Sequence, residues 1–234
     1  MKAGPSLEID GAERLHGVLS KQAVADLNLI LAAVDDTKPG TRMSRNPALE
    51  SWIERVGLTA IASIRLEREA IPVRAILFDK SLDTNWALGW HQDRTIAVAG
   101  KDEAIGFGPW SRKAGIDHVE PPFEIIEAML TLRVHLDPVD AKNAPLLIVP
   151  GSHRLGKIRK PELSAVVDRC GTIACLADQG DVWIYRTSIV HASATSQVKA
   201  RRRVLQIDFS GDQLPPPLKW QGIGETKAHP ARGG

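Results

Sequence analysis

One short segment of the chain combines an apolar, strand-like pattern with two side chains that can bind a metal. It reads NWALGWHQDRTIAV and covers residues 85–98, with His91 and Asp93 two positions apart. On a β-strand, residues i and i+2 point to the same face, so the imidazole and the carboxylate would project side by side. The spacing permits either a two-ligand metal chelate or two polar residues on a solvated strand face.

A third ligand lies much further along the chain. His191 sits in the short β-prone run IVHASA, and Arg202 begins the next alternating strand. Two histidines and one carboxylate form the facial triad of non-haem Fe(II) oxygenases, which leaves the other coordination positions open. The arginine could bind a co-substrate carboxylate through two parallel hydrogen bonds. Catalytic zinc also takes three protein ligands, so a zinc enzyme stays open at this point.

Four motifs, in this order, resemble those of the phytanoyl-CoA dioxygenase family of Fe(II)/2-oxoglutarate enzymes. They are WHQD (90–93), NAPLLIVPGSHRLG (143–156), GDVWIY (180–185) and HAS (191–193), and Arg202 follows at the family's spacing. The sequence departs from the family pattern at Ala144, where glycine is usual, and at Ser196, where asparagine is frequent.

The resemblance implies a role for each motif residue. The implied Fe(II) ligands, which are also the catalytic residues, are His91, Asp93 and His191. Arg202 would pair with the distal carboxylate of 2-oxoglutarate, and Ser193 would hydrogen-bond to it. The implied reaction also consumes O2 and hydroxylates a C–H bond of a small molecule, with release of succinate and CO2.

The carboxylate ligand narrows the chemistry. Halogenases that resemble these enzymes have a small residue at the position of Asp93, so Asp93 favours oxygenation. Desaturation and ring closure would use the same ligands. The alternatives are a cupin-like or zinc-dependent metalloenzyme without 2-oxoglutarate, and a non-catalytic ligand-binding module of the same fold. Arg202 and Ser193 argue against the first, because a hydrolytic zinc site needs no carboxylate clamp, and the intact triad argues against the second.

Further side chains are candidates for the pocket. In residues 129–137 apolar and polar positions alternate, which predicts one face toward the core and one toward a polar interior. The expected substrate-pocket residues are Arg133, Thr131, Trp86, Trp110 and His135, and Lys80 is expected to reach 2-oxoglutarate. Arg133 would meet an anionic group of the substrate or the co-substrate, unless it pairs with Asp137 or a neighbouring carboxylate. A structural strand histidine is the alternative for His135.

The elements that must position these residues form two groups. Capping patterns at Ser20 and at Asn46-Pro47 predict helices, and a third helix is expected over residues 58–66. After Pro72, short β-prone runs alternate with Gly, Pro and Asp. They cover residues 73–79, 88–99, 129–137, 146–149, 181–186, 189–194 and 203–209. The Gly-rich stretch 100–122 is expected to be a long loop.

These elements predict a mostly β protein with flanking helices. The resemblance implies a double-stranded β-helix, a jelly-roll or cupin-like barrel, with the N-terminal helices packed on one sheet. We expect one domain over residues 1–234, with a helical part at 1–70, the barrel at 73–210 and a tail at 211–234.

Composition excludes several classes of function. The chain has 234 residues, 43% of them hydrophobic, and a formal net charge of +2. It has no dominant Lys/Arg block, so nucleic acid is not an expected partner. No stretch approaches the about 18 apolar residues of a membrane span, and the N-terminus has no apolar signal segment. Two cysteines are too few for a disulfide framework. We therefore expect a cytoplasmic protein with a small-molecule substrate.

Overall fold

The computed structural model describes residues 4–35, 38–81 and 84–224. The helices in these ranges are α1 (Lys21–Ile30), α2 (Pro47–Arg55), α3 (Leu58–Leu66), α4 (Phe123–Glu127) and α5 (Leu163–Cys170). The strands are β1 (Ala12–Leu15), β2 (Gly40–Met43), β3 (Ile71–Lys80), β4 (Leu88–His91), β5 (Ile96–Val98), β6 (Trp110–Lys113), β7 (Ile116–Val119), β8 (Leu130–His135), β9 (Leu146–Ile148), β10 (Ile173–Cys175), β11 (Val182–Arg186), β12 (His191–Ser193) and β13 (Arg202–Ser210). None of these helices is long and apolar enough to cross a membrane.

The strands form antiparallel sheets, in keeping with the predicted mostly β fold. The largest has the order β1-β11-β8-β13-β3-β2, the second has the order β10-β9-β12-β4, and the third has the order β5-β7-β6. Side chains of the two larger sheets line one common cavity. The fold is therefore mostly β, with the jelly-roll arrangement of two sheets around a pocket.

The N-terminal helices pack on the outer face of the largest sheet. Leu132 of β8 and Ile207 of β13 are fully buried in one cluster with Leu27 of α1 and Trp52 of α2. The alternate residues of β8 and β13 point inward, so each strand has the predicted apolar and polar faces. Burying a large apolar side chain contributes roughly 1.5–3 kcal/mol, so this cluster is a major source of stability.

Both predicted helix caps are present. The side chain of Ser20 accepts a hydrogen bond from the Ala23 amide, and the side chain of Asn46 accepts one from the Leu49 amide. Pro47 occupies the first turn of α2, where a missing N–H does no harm. The caps fix where the two helices begin and so where their apolar faces meet the sheet.

Three parts of the fold differ from expectation. The N-terminal part is not purely helical, because β1 and β2 each add a short edge strand to the largest sheet. Each of these strands has four residues, too few for a recognisable alternation of apolar and polar positions in the sequence. The stretch 100–122 is not all loop, since β6 and β7 form a hairpin around Ala114 and Gly115, both with positive φ. The run 88–99 is two strands with a break at 92–95.

The first residue of the GDVWIY motif, Gly180, lies where the backbone conformation and the neighbouring chain leave no room for a side chain. Its φ is +87°, and a Cβ added there would lie 2.6 Å from the carbonyl oxygen of Leu19. The same two residues share a backbone hydrogen bond of 3.0 Å from the Leu19 amide to the Gly180 carbonyl. Any side chain here must push away the segment that leads into α1.

We predict that Gly180→Ala lowers the free energy of unfolding by about 2–5 kcal/mol, from left-handed backbone strain of about 1–2 kcal/mol plus overpacking of about 1–3 kcal/mol. Gly57→Ala is the control, because Gly57 has φ +79° with nothing near its added Cβ. Chemical denaturation of both variants measures the difference. Equal losses in the two variants would contradict the close contact with Leu19.

Candidate metal centre and its pocket

The three predicted metal ligands converge. His191 of β12 pairs in register with His91 of β4, and the centroids of the two rings are 4.2 Å apart. Asp93 joins them, and the ligand atoms of the three residues lie within 4.8 Å of one another. This is the grouping of two imidazoles and one carboxylate that leaves part of a metal's coordination sphere open.

The orientation of both rings is set by the backbone. The Nδ1 atom of His91 lies 2.8 Å from the carbonyl oxygen of Gly89, and that of His191 lies 3.0 Å from the carbonyl oxygen of Ile189. Each carbonyl accepts the Nδ1 proton, so each Nε2 presents a lone pair. The donor set therefore fits a divalent metal ion with nitrogen and oxygen ligands.

Asp93 is positioned differently from the strand geometry we expected. β4 ends at His91, so Asp93 lies in the break that follows rather than on the strand. Gln92 anchors this break: its amide donates to the carbonyls of Ser188 (2.8 Å) and Gly156 (3.0 Å), and accepts from the Ile158 amide (2.9 Å). With Gln92 turned into the protein, Asp93 turns to the opposite side, toward the histidines.

An ion pair with Arg74 keeps Asp93 ionised. Nη2 of Arg74 lies 3.5 Å from Asp93, and Nε of Arg74 donates to Asp208. Burial opposes ionisation of Asp93, but the charge of Arg74, with smaller contributions from His191, His91 and Arg133, holds its pKa below the ordinary value. Thr131 donates to Asp208 over 2.9 Å and so supports the ion pair of Arg74 with Asp208. We expected Thr131 to line the pocket, but it does not line the cavity.

A second group of side chains lies at the other end of β3. Arg202 pairs in register with Lys80, and both side chains are buried. Lys80 donates to Ser193 over 3.1 Å and also to the Ala194 carbonyl, while Nη1 of Arg202 donates to the Ala144 carbonyl over 2.7 Å. Burial, followed by the charges of Arg202 and Arg133, lowers the pKa of Lys80 to about 7.

The neighbours of Arg202 in sequence face away from this group. Arg201 pairs with Asp79, and Arg203 pairs with Asp137. Ala144, where the family usually has glycine, has a φ of +48°. A left-handed conformation costs a residue with a Cβ roughly 1–2 kcal/mol, which explains the preference for glycine there. The strained turn directs the Ala144 carbonyl at Arg202.

A cavity of about 220 Å³ connects the triad to Arg202 and Ser193. Trp86 lines it, as predicted, with Nζ of Lys80 4.7 Å from its ring centroid. Arg133 also lines it, donating to Gln206 over 2.8 Å with its guanidinium 5.2 Å from the Phe78 ring centroid. The alternative pairing with Asp137 is wrong, because Asp137 binds Arg203.

Besides Thr131, two expected pocket residues do not line the cavity, and Lys80 adjoins it only through Ser193 and Trp86. Trp110 packs instead against a separate apolar cluster that contains Val98 and Val119. His135 is buried, and within the described chain neither of its ring nitrogens has a hydrogen-bond partner. Burial, followed by the charges of Arg133 and Arg202, lowers the pKa of His135 to about 3.

The buried His135 predicts a loss of stability in acid. The unfolded chain protonates this histidine below about pH 6.5, whereas the folded protein does so only near pH 3. Stability must therefore fall as pH is lowered through this window, by up to about 1.4 kcal/mol per pH unit from this residue. We expect the decline between pH 6 and 4.5 to be shallower in His135→Gln, with His16→Gln at an exposed position as the control. Denaturation at each pH tests this, and parallel curves for wild type and His135→Gln would contradict it.

Comparison with known proteins is consistent with this geometry. The structure is similar to EctD from S. alaskensis with 2-oxoglutarate and 5-hydroxyectoine, with 19% identity, a TM-score of 0.67, and coverage of 96% of this chain and 79% of EctD. It is similar to SnoN, a non-heme alpha-ketoglutarate-dependent epimerase from nogalamycin biosynthesis, with 17% identity, a TM-score of 0.60 and coverage of 97% and 88%. It is also similar to HygX from Streptomyces hygroscopicus with nickel and 2-oxoglutarate bound, with 15% identity, a TM-score of 0.58 and coverage of 87% and 83%.

At these identities the likeness establishes the fold. No curated protein sequence matches the chain. The sequence model of the family described as phytanoyl-CoA dioxygenase, however, matches residues 7–204, which includes the motifs around both histidines and Arg202. With that match over most of its length, the chain belongs to the phytanoyl-CoA dioxygenase family.

Proposed function

We propose that the protein is an Fe(II)- and 2-oxoglutarate-dependent dioxygenase that hydroxylates a C–H bond of a small molecule and releases succinate and CO2. The observation that carries this proposal is the convergence of His91, Asp93 and His191 on one cavity that also holds Arg202. Family membership and the metal- and 2-oxoglutarate-bound relatives support it. A single domain and a cytoplasmic location are parts of the same proposal.

The triad would hold the iron through two Nε2 atoms and one carboxylate oxygen. Bound iron supplies the activation of O2, which protein side chains cannot provide. The chain's contribution is to fix the donor atoms: backbone carbonyls orient both imidazoles, and Arg74 keeps Asp93 ionised. Since Asp93 occupies the third ligand position, oxygenation is favoured over halogenation.

Arg202, Lys80 and Ser193 would bind the distal carboxylate of 2-oxoglutarate. The Nε atom of Arg202 is buried without an acceptor in the described chain, so a donor is available for an incoming anion. Two buried cations side by side repel each other, and a carboxylate between them would relieve that repulsion. Charge-assisted hydrogen bonds from a guanidinium and an ammonium are the strongest that a carboxylate can receive from side chains.

The side chains that would bind the distal carboxylate also separate the proposal from its alternatives. A zinc-dependent enzyme without 2-oxoglutarate would have no use for Arg202 and Lys80 buried together beside the cavity of the triad. A non-catalytic binding module would have no use for two imidazoles whose Nε2 atoms converge on a carboxylate. The proposed enzyme uses both groups, one at each end of a single co-substrate.

We predict that anaerobic addition of Fe(II) and 2-oxoglutarate produces a visible metal-to-ligand charge-transfer band. His91→Ala abolishes the band, because one of three ligands is lost. Arg202→Gln keeps the iron site but weakens the apparent affinity for 2-oxoglutarate at least tenfold, since a hydrogen bond between charged groups contributes about 1.5–3 kcal/mol. Arg201→Gln removes the same charge from the outer side of the strand and serves as the control. Absence of a band, with zinc-dependent hydrolysis in its place, would overturn the proposal.

We also predict the fate of the oxygen atoms. With ¹⁸O2, substrates found by screening for succinate release should yield a product that carries one labelled oxygen, and succinate that carries the other. Mass spectrometry of both products measures this. A product without the label, formed together with labelled succinate, would indicate desaturation or ring closure at the same centre and would correct the hydroxylation part of the proposal.

A further inference from the structure

The cavity is more positively charged than a metal and 2-oxoglutarate require. Its basic lining residues are Arg42, Arg74, Lys113, Arg133 and Arg202, and Asp93 is the one carboxylate among the described lining residues. Arg74 is neutralised by Asp208, and Arg202 is assigned above to 2-oxoglutarate. Arg133 is held by its hydrogen bond to Gln206, and Arg42 and Lys113 have no such partner or assignment.

Neither of these two side chains has a partner in the ranges 4–35, 38–81 and 84–224. The Nε atom of Arg42 is buried and lacks a hydrogen-bond acceptor, and Lys113 forms no ion pair or side-chain hydrogen bond. Arg42 comes from the edge strand β2, whereas Lys113 comes from β6 in the third sheet. Two cations from separate sheets therefore meet at one cavity without a counter-charge of their own.

Arg42 and Lys113 line the same cavity as Arg74 and Asp93, and these charged groups influence one another. Burial and the charge of Arg74 lower the pKa of Arg42, and burial followed by Arg42 and Arg74 lowers that of Lys113. The same three cations act on the buried His118, whose pKa falls to about 4, mainly through burial. The attraction of Asp93 opposes these effects on Arg42 and Lys113, and a bound metal ion would claim that carboxylate.

One molecule of 2-oxoglutarate would be fully bound without Arg42 and Lys113. In the proposed function its keto-acid end would face the triad, and its distal carboxylate would face Arg202 and Ser193. Arg202 belongs to β13, whereas Arg42 belongs to β2 on the opposite side of β3. Both carboxylates of 2-oxoglutarate would then have partners, and Arg42 and Lys113 are available to a second molecule.

We propose that Arg42 and Lys113 form a subsite for an oxyanion group of the substrate, a carboxylate or a phosphate ester, at the mouth of the cavity. This inference rests on the function proposed above. A guanidinium offers paired donors to such a group, and an ammonium adds a compact charge. The substrate would then be held by its anionic end, with a C–H bond directed toward the triad.

Binding of small anions tests the subsite directly. Inorganic phosphate and acetate are titrated by calorimetry into anaerobic protein that holds Fe(II) and saturating 2-oxoglutarate. We expect at least one of them to bind, with affinity reduced at least tenfold in Arg42→Gln and in Lys113→Gln. The tighter of the two anions identifies a phosphate ester or a carboxylate as the substrate group.

Arg112→Gln is the matched control. Arg112 adjoins Lys113 on β6, is exposed, and lies 3.9 Å from Asp117, so its loss removes one positive charge outside the cavity. This variant should bind both anions as the wild type does. Thermal melting checks that each variant is folded, and if Arg42→Gln does not fold, Lys113→Gln in the exposed hairpin decides alone.

The subsite and the proposed activity can fail separately. If no charge-transfer band forms, the activity is refuted, whereas the same titrations on metal-free protein still report on Arg42 and Lys113. If the band forms but neither anion binds, or both bind equally to wild type and variants, the subsite is refuted alone.

In screens for succinate release, acids should be better substrates than their neutral amides, and Arg42→Gln should raise KM for the acid at least tenfold. Equal use of acid and amide by the wild type would overturn the inference.

Discussion

A buried ion pair between β3 and β13 holds the interior of the barrel in place. Arg74 and Asp208 lie opposite each other in the register of the two strands, and the Asp208 side chain is almost inaccessible to solvent. Burial raises the pKa of Asp208, and Arg74 is the charge that opposes this effect. Breaking a buried pair by removing one partner typically costs about 3–5 kcal/mol, because the other charge is left without compensation.

This pair links the metal centre to the rest of the pocket. Asp208 accepts hydrogen bonds from Thr131 and Gln206, and Gln206 accepts one from Arg133. On the other side, Arg74 reaches Asp93. These polar groups bond to one another in series, and one donor, Nε of Arg133, is left without an acceptor among the described residues. The carboxylate ligand Asp93 and the cavity residue Arg133 are thus held by one set of contacts that crosses β3, β13 and β8.

The parts of this protein that follow repeating rules could be predicted from its sequence. Period-two alternation gave the two faces of β8, and the capping residues located α1 and α2. The site residues came from motif order, since the His-x-Asp spacing alone was ambiguous. Gln92 was missed because its partners lie in the segments 156–158 and 188, far along the chain. Sequence separation hid such contacts, and no periodic pattern marks them.

Short elements were the least predictable. β2 has four residues, and nothing in GTRM indicates that its arginine enters the cavity; that follows only from its register with β3. The β6–β7 hairpin was not predicted, because the glycines of this stretch are typical of a loop. Trp110 illustrates the result, because an aromatic residue in a supposed binding loop is in fact part of a small apolar core. Where a side chain faces depends on which strand it pairs with, and pairing is a long-range property.

The irregular pairing of β4 with β12 explains how two histidines can present the same nitrogen to one point. His191 pairs with His91, but two residues later Ser193 pairs with Leu88, so β4 contains one extra residue. Bulges of this kind bend a strand and redirect a side chain. Gly89 lies in the bulge, and its carbonyl accepts from the imidazole two residues later, as the carbonyl of Ile189 does for His191. The two ligands are therefore oriented by the same local contact, and the bulge allows them to do so from strands that run in opposite directions.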